Sequence, residues 1–576
     1  MRTLCIFLFA LLFSLKITAQ TPAFPGAEGF GAAASGGRGG QVVYVTNLNC
    51  SGPGSLNWAL EQPGARYVLF KVSGVIPCAA EVREGDVTIA GQTSPGGITV
   101  RGLIVDEFYE PEGTGANIIV RHLRSRPFDP DLVPGGGWVL DDALRLEGAQ
   151  NCIVDHCSFA NARDESVQIS RSRDITIQNC QLAETVGGHY LLGGMLINYS
   201  EPDLPQQNLS IHHNIWNRIG GRFPEIICES PHGAAAKLNI EVSNNLLWDI
   251  NTTFWYGPNI DPSTTDNKFF LNLNYVNNYA FGRANYCEAM GPASVLEYAQ
   301  NNLFVSGNQM NLYPQFADYQ LFNCCNDFCQ AGNNPNTNLG TAQKLTARHP
   351  FPNITYQPAD QMRAYMAANA GAFPRDSMDR RLMKWVAAGT VDPQPIAALE
   401  NATTTEAFRL DFNANNPPVA PADSDSDGMP NYWETAHGLN PNVPDHNGTQ
   451  LSTSITGTAG YTNLECYLNC LSDAKINGQS TAACGISTAI FSPENVPNSW
   501  QATPNPFGDR LVFRRSPGDG GEVSIEVFRA GGARVLAAES AGASVEIEAG
   551  RLAAGVYFYR IVGKDGLEGW GRVVKE

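Results

Sequence analysis

The sequence predicts an all-β protein, a right-handed parallel β-helix followed by a small C-terminal antiparallel β-sandwich. Three observations carry this. From about residue 40 to 305 the chain is a succession of short β-branched runs, such as "VTIAG", "NIIVRHLRSR", "CIVDHCSF" and "IEVSNNLLW", without helical periodicity. Second, a short strand, one or two Asn or His, and then apolar residues recur as "QNCQL", "HHNIW", "SNNLLW", "VNNYAF" and "QNNLFV", with Asn179, Asn214, Asn245, Asn278 and Asn302 about 24 to 35 residues apart. That spacing suits one solenoid coil with loops of varying length. Asparagine tolerates left-handed backbone at a corner, and stacked copies can hydrogen-bond along the axis. A β-sandwich is the rival for this region, but evenly spaced strands joined by hairpin turns are not evident. Third, the tail from "ATPNPFGDRLVF" to "GVYFYRIVGKDGLEGWGRVVKE" alternates apolar and polar residues, as a small antiparallel sandwich does.

Taken in order, residues 1–19 of "MRTLCIFLFALLFSLKITAQ" combine a basic start, an apolar run and small residues near Ala19, the pattern of a secretory signal peptide. No other long uninterrupted apolar run follows, so no membrane span is expected, and the mature chain should be exported. Residues 23–395 form the β-helix domain, with helix-prone residues 358–390 packing on the solenoid. Residues 396–422, ending in "NANNPPVAPA", read as a linker; residues 423–475 hold an acidic loop, and residues 498–576 the sandwich. Of fourteen cysteines, thirteen lie beyond Cys5. An exported chain could oxidise some of them, with Cys324, Cys325 and Cys329, or Cys466, Cys470 and Cys484, as candidates. Cys152 and Cys157 read equally well as small buried hydrophobes. A net charge of -18 excludes nucleic acid as a partner, and an anionic substrate would need local arginines or a bridging cation.

The sharpest local motif is Asp423-Ser424-Asp425-Ser426-Asp427-Gly428 with Glu434 at the twelfth position. Carboxylates at positions 1, 3, 5 and 12 and glycine at 6 match an EF-hand-type calcium loop, of thrombospondin-repeat or dockerin-like kind given Pro430, and point to a structural Ca2+ staple. A flexible acidic linker is the bland alternative. In "NCIVDHCSFANARDESVQIS", Asp164 lies 22 residues after Asp142, about one coil, so both could face one sheet and share a hard cation. Glu165 is a further metal-ligand candidate beside Asp164. Asp155 and His156 sit in strand-like surroundings and read as hydrogen-bonded scaffold. Arg222, in "IGGRFPEI", is placed by glycines and a proline in an irregular, extended segment facing a groove; a salt bridge to Glu225 is the alternative.

The motifs "AFPGAEGFGAAASGGRGGQVVYVTNLNCSGPGSL", "VTIAGQTSPGGITVRG", "NIIVRHLRSRPFD", "CIVDHCSFANARDES", "GGRFP", "AGAFPRDSMDRR" and "GYTNLECYLN" resemble secreted pectate lyases of polysaccharide lyase family one from Bacteroidetes, over roughly residues 23–470. The tail, with "PNPF" near its start and "GVYFYRI" near its end, resembles the C-terminal sorting domain of the type nine secretion system. The resemblance implies a monomeric, Ca2+-dependent lyase that cleaves polygalacturonate by β-elimination, reaches the cell exterior through the periplasm and loses its tail. It implies Arg222 as the base that takes the C5 proton, although a guanidinium is ordinarily always protonated. Asp142 and Asp164 match calcium carboxylates. Three departures stand out. Gln168 occupies the place of a further calcium aspartate, Glu225 that of a second arginine, and "LAETVGGHYLLGG" lacks the expected lysine, leaving His189 as the nearest substrate-binding substitute. The rival functions are a pectin lyase acting on methyl-esterified chains and a non-catalytic pectin-binding surface protein. A hydrolase on a similar β-helix would need paired acids at hydrolytic spacing.

Overall fold

A computed structural model describes residues 20–479 apart from 107–114, 130–136, 230–235, 251–254, 258–268, 284–289, 292, 323–339 and 401–415. In the C-terminal part it describes residues 500–575 apart from 504–506, 516–521, 530–533, 541, 543, 554 and 564–565. The leader, Cys324, Cys325, Cys329 and Cys484 lie outside the described residues.

The chain divides into two compact units, residues 1–487 and 488–576. The first is the expected parallel β-helix. Its strands stack into parallel sheets of eleven, seven and nine strands, each coil giving one strand to each sheet in turn. Inward residues such as Leu144, Leu146, Val167, Ile169, Met195 and Ile197 fill one continuous apolar core. Alternation along each strand produces this, since every second side chain of runs such as Val167–Ser170 points inward.

The asparagine corner is real, but its membership differs from the expectation. Asn214, Asn245, Asn278 and Asn308 form the buried ladder, each amide nitrogen donating to the next amide oxygen at 3.3, 3.1 and 3.0 Å. The row continues through cysteine. The Cys180 amide donates to Asn214 at 2.9 Å, and the Cys157 amide to the Cys180 sulfur at 3.4 Å. Asn179 stands one residue before its rung, at φ 53°, bonded to Tyr365 and Asp155. Asn302 belongs to an outer row with Asn208, Asn239 and Asn272, spaced 2.8–2.9 Å.

Two helices, Met362–Asn369 and Ser377–Ala388, pack Met362, Met366, Met383 and Val386 onto Ile215, Leu246 and Trp248 of the nine-stranded sheet. Asp376 caps the second helix through the Asp379 amide, and buried Asp379 in turn accepts from Arg124, Arg126, Ser158 and Gln181. Residues 416–479 pack Met429, Trp433, Leu464 and Leu468 against Tyr67, Leu69 and Ala90 on the eleven-stranded sheet. Among the described residues one disulfide joins Cys50 and Cys78, whose Cα atoms are 5.7 Å apart. Cys466 and Cys470 are free thiols, against the sequence expectation: both lie on the helix Asn463–Ile476, where Cys466 faces the apolar seam. Cys152 and Cys157 are buried free thiols. The C-terminal unit contains antiparallel sheets of three and four strands around Phe507, Leu511, Phe513, Ile525, Val527 and Ile561.

Candidate active site and acidic loop

The candidate residues gather at the leading edge of the seven-stranded sheet. Strands Leu144–Glu147, Val167–Ser170, Met195–Asn198 and Glu225–Ile227 lie side by side in parallel. Each is preceded by a loop that carries a candidate. These are Asp142, then Asp164 and Glu165, then His189, then Arg222. A row in register across the outer face runs Arg145, Gln168, Leu196, Glu225. Successive coils therefore superimpose residues far apart in sequence.

Asp142 is fully buried and does not join the cluster of facing ligand atoms. One carboxylate oxygen is held by Arg145 at 2.7 and 2.6 Å, and the other accepts the Glu165 amide at 3.0 Å. Burial pushes its carboxyl up to about 6, opposed by Arg145. In this structure Asp142 anchors the loop bearing Glu165. Arg145 was not foreseen, although its spacing of three from Asp142 was visible.

Asp164, Glu165 and His189 bring ligand atoms within 4.8 Å of one another. His189 Nδ1 meets Asp164 Oδ1 at 2.6 Å, and both side chains are about two-fifths exposed, at 39 and 41%. Burial raises the Asp164 carboxyl, but the hydrogen bond and charge of His189, with Arg222 and Arg145, outweigh it and hold it below its usual range. The same hydrogen bond raises His189. Glu165, buried, is ion-paired with Arg222, which also meets Glu225 at 2.5 Å. Burial raises Glu225 against the pull of Arg222.

Arg222 is not extended as the sequence suggested. Its φ is 64°, a left-handed conformation that costs a non-glycine residue energy and recurs at functional sites. Gly194 makes room for it, and Gly193 makes room for the Asp164 backbone. A Cβ on Gly194 would lie 2.2 Å from the Arg222 carbonyl, and one on Gly193 2.4 Å from that of Asp164. The pair sits between the two loops and bonds to both sides, Ser166 to Gly193 at 2.7 Å and Gly194 to Gly221 at 3.0 Å. Asp155 and His156 are scaffold, as read. Asp155 is wholly buried among Arg121, His156, Gln178 and Asn179.

The acidic loop lies against the eleven-stranded sheet. Ligand atoms of Asp423, Asp425 and Asp427 lie within 4.8 Å of one another, and so do those of Asp427, Glu434 and Asp445. Asp445 was missed because it stands outside the twelve-residue motif. Asp423 accepts the amides of Ser426, at 2.9 Å, and Asp427, at 3.3 Å, and the Tyr44 hydroxyl. Both oxygens of Asp425 and both of Glu434 are buried without a hydrogen-bond partner. Burial, then the charges of Asp425, Asp427, Asp423 and Asp445, push Glu434 up to about 8.

Curated relatives align along most of the chain. "Probable pectate lyase C" of Aspergillus flavus is 31% identical over 472 residues, covering 81% of this chain and 97% of the relative. The chain belongs to the pectate lyase family. The protein of that name from Emericella nidulans is 29% identical over 476 residues, 81% of this chain and 96% of its own. The "Pectate trisaccharide-lyase" of Thermotoga maritima is 24% identical over 198 residues, 33% of this chain and 49% of its own. Among solved structures, that of Jun a 1, the major allergen from cedar pollen, covers 60% of this chain and 92% of its own at 14% identity and a TM-score of 0.40. No family model matches.

This pectate lyase is thus a polysaccharide lyase, and its candidate site has the donor chemistry of a hard-cation site. Asp141, Asp142, Asp164, Glu165 and Glu225 face Arg145, Arg163, Arg222 and His189 in paired contacts. Five carboxylates meet three guanidiniums and His189, a negative surplus presented through oxygen donors even when His189 is protonated. That fits a hard divalent ion. No helix among the described residues is long and apolar enough to cross a membrane.

Proposed function

We propose that the chain is a calcium-dependent pectate lyase that cleaves de-esterified polygalacturonate by β-elimination, giving 4,5-unsaturated oligogalacturonides. The observation that carries the reading is Arg222, held by Glu165 and Glu225 in a left-handed turn beside the Asp164–His189 pair. Glu165 and Glu225 orient the guanidine, so that its planar donors hold one direction toward the groove. Arg222, after giving up one guanidinium proton to water, takes the C5 proton of the uronate and returns to the guanidinium form. The freed electron pair forms the C4–C5 double bond, and the C4–O bond breaks with its electrons leaving on the glycosidic oxygen, which gains a proton from water. Asp164 and Glu165, with Asp142 behind them, would hold a calcium ion, which would supply Lewis-acid polarisation of the uronate and so acidify C5–H. His189, on the loop before Met195–Asn198, reaches the same cluster and contacts substrate.

The leader-like residues 1–19, and the tail's likeness to a sorting domain, support export through the periplasm and the type nine machinery, to act as a secreted or surface monomer. The test is ultraviolet absorbance of the unsaturated uronide formed from polygalacturonate, with calcium, with chelator and with Arg222→Ala. A calcium-dependent rise that falls at least a thousandfold in the variant is expected. Full activity in chelator on esterified pectin would move the assignment to a pectin lyase. Binding without any new double bond would make the chain a pectin-binding protein.

A further inference from the structure

The acidic loop lies outside the groove, and the proposed lyase reaction uses none of its residues. We propose that Asp423, Asp425, Asp427, Glu434 and Asp445 hold one calcium-sized cation that latches residues 416–479 onto the first coils of the solenoid. Three independent facts point there.

The first is the unpartnered oxygens. Glu434 has no solvent exposure, and neither of its carboxylate oxygens has a hydrogen-bond partner. Nor has either oxygen of Asp425. Buried carboxylates are stable only when paired, hydrogen-bonded or bound to a metal. Here the near neighbours are other carboxylates, since Glu434 shares a 4.8 Å cluster with Asp427 and Asp445, and Asp427 shares another with Asp423 and Asp425. A positive charge at the centre would let all of these carboxylates stay ionised together. Carboxylate oxygen donors alone suit calcium better than a thiolate- or imidazole-seeking metal.

The second is the origin of the ligands. Asp423, Asp425 and Asp427 come from the turn, Glu434 from the helix Asn431–Ala436, and Asp445 from the segment that leads toward the helix Asn463–Ile476. The Asp445 amide already donates to Asp427 at 2.9 Å, and Asn463 reaches back to the Asp445 carbonyl at 3.0 Å. One ion would therefore tie the turn and the helix Asn431–Ala436 to the stretch around Asp445, which Asn463 links to the helix Asn463–Ile476.

The third is the connection to the sheet. Tyr44, on the strand Gln41–Val45, gives its hydroxyl to Asp423. Trp433, next to Glu434, is wholly buried in the seam with Tyr67 and Leu69. The Gly428 position, where a Cβ would come within 2.8 Å of Leu69, brings the turn itself against the sheet. Ligand geometry and the apolar seam are thus parts of one contact, so losing the ion should loosen the seam.

The full chain is titrated with calcium by calorimetry and melted with and without it, as wild type, Glu434→Gln, Asp445→Asn and Asp164→Asn. The latch predicts one site that weakens at least tenfold in Glu434→Gln and about tenfold in Asp445→Asn. It predicts that a hundredfold excess of calcium over the wild-type Kd raises the melting temperature of the wild type by about 3 °C and that of Glu434→Gln by about half as much or less. Asp164→Asn, altered only in the groove, should keep both the site and the rise. If Glu434→Gln does not fold, Asp445→Asn alone decides. Unchanged titrations in the two loop variants, or loss of the rise in Asp164→Asn, overturn the latch.

Discussion

At the scale of single residues, the acids were legible and their organisers were not. Asp142 and Asp164 stood out because they lie about one coil apart, Glu165 because it stands beside Asp164, and Arg222 because glycine and proline flank it. Arg145, Gly193 and Gly194 carry no such contrast, because their roles exist only between neighbouring coils. Gly194 is the clearest case. Its missing side chain lets the Arg222 and Gly221 carbonyls approach to 2.2 and 2.4 Å of where a Cβ would stand. Gly194→Ala should therefore move the Arg222 turn away from Asp164. The expected cost is about 1–3 kcal/mol of stability from overpacking. A displacement near 1 Å should also lower kcat about a hundredfold, with KM changed less. Steady-state kinetics on polygalacturonate beside a thermal melt checks this. A loss of stability with full kcat would show that the turn does not position the base.

At the scale of elements, the repeat was readable but its phase was not. Each corner has two consecutive polar positions, one left-handed and one forming the ladder, and the sequence does not say which Asn or His of a pair is which. The left-handed position is filled by His122, His156, Asn179, His213, Asn244 and Asn277, with φ between 50 and 55°. The rung behind it is Asn214, Asn245, Asn278 or Asn308, or the sulfur of Cys180. Hence Asn179 and Asn302 were assigned to the wrong row. The corner histidines also set a pH response. Burial lowers His213 to about 4, and pushes His122 and His212 well below their usual value. Each stays neutral in the fold while the unfolded chain protonates near 6.5, so its stabilising effect is complete above that pH and is lost as pH falls toward the folded value. For His213 the window is about 6.5 to 4, and the loss is about 3 kcal/mol. Asp142, raised to about 6, acts with the opposite sign, losing stability as pH rises from its ordinary value to that point. His213→Asn keeps a side chain that tolerates the left-handed corner. Urea unfolding of wild type and variant from pH 7 to 4.5, with calcium present throughout, should show a shallower decline in the variant by close to one proton. Parallel declines would mean that His213 does not stay neutral in the fold.

At the scale of the whole molecule, the sequence divided the chain by composition, and the structure divides it by cores. The expected boundary at residue 395 set the acidic-loop segment apart from the solenoid, yet Met429, Trp433, Leu464 and Leu468 share a core with Tyr67 and Leu69. Composition could not reveal this, since the apolar face of the eleven-stranded sheet and its cover are more than 300 residues apart in the chain. The division at residues 487 and 488 instead separates two sets of buried residues that do not overlap. Asp142, Asp164, Glu165, His189 and Arg222 all belong to the first set's unit, as do the disulfide Cys50–Cys78 and the five loop carboxylates. A chain ending at residue 487 therefore retains every group that the reaction and the latch require, while one ending at residue 422 loses the cover of Tyr67 and Leu69 and exposes apolar surface. The longer truncation should keep kcat and KM within about twofold of the full chain and melt at the same temperature as its first unit. The shorter should lose folded protein or melt several degrees lower, since burying side chains of this size contributes about 1.5–3 kcal/mol each. Purifying both and measuring unsaturated-uronide formation and melting decides the point. Equal behaviour of the two truncations would place residues 423–479 outside the folding unit, and loss of activity on removing residues 488–576 would place the C-terminal unit within the catalytic machinery.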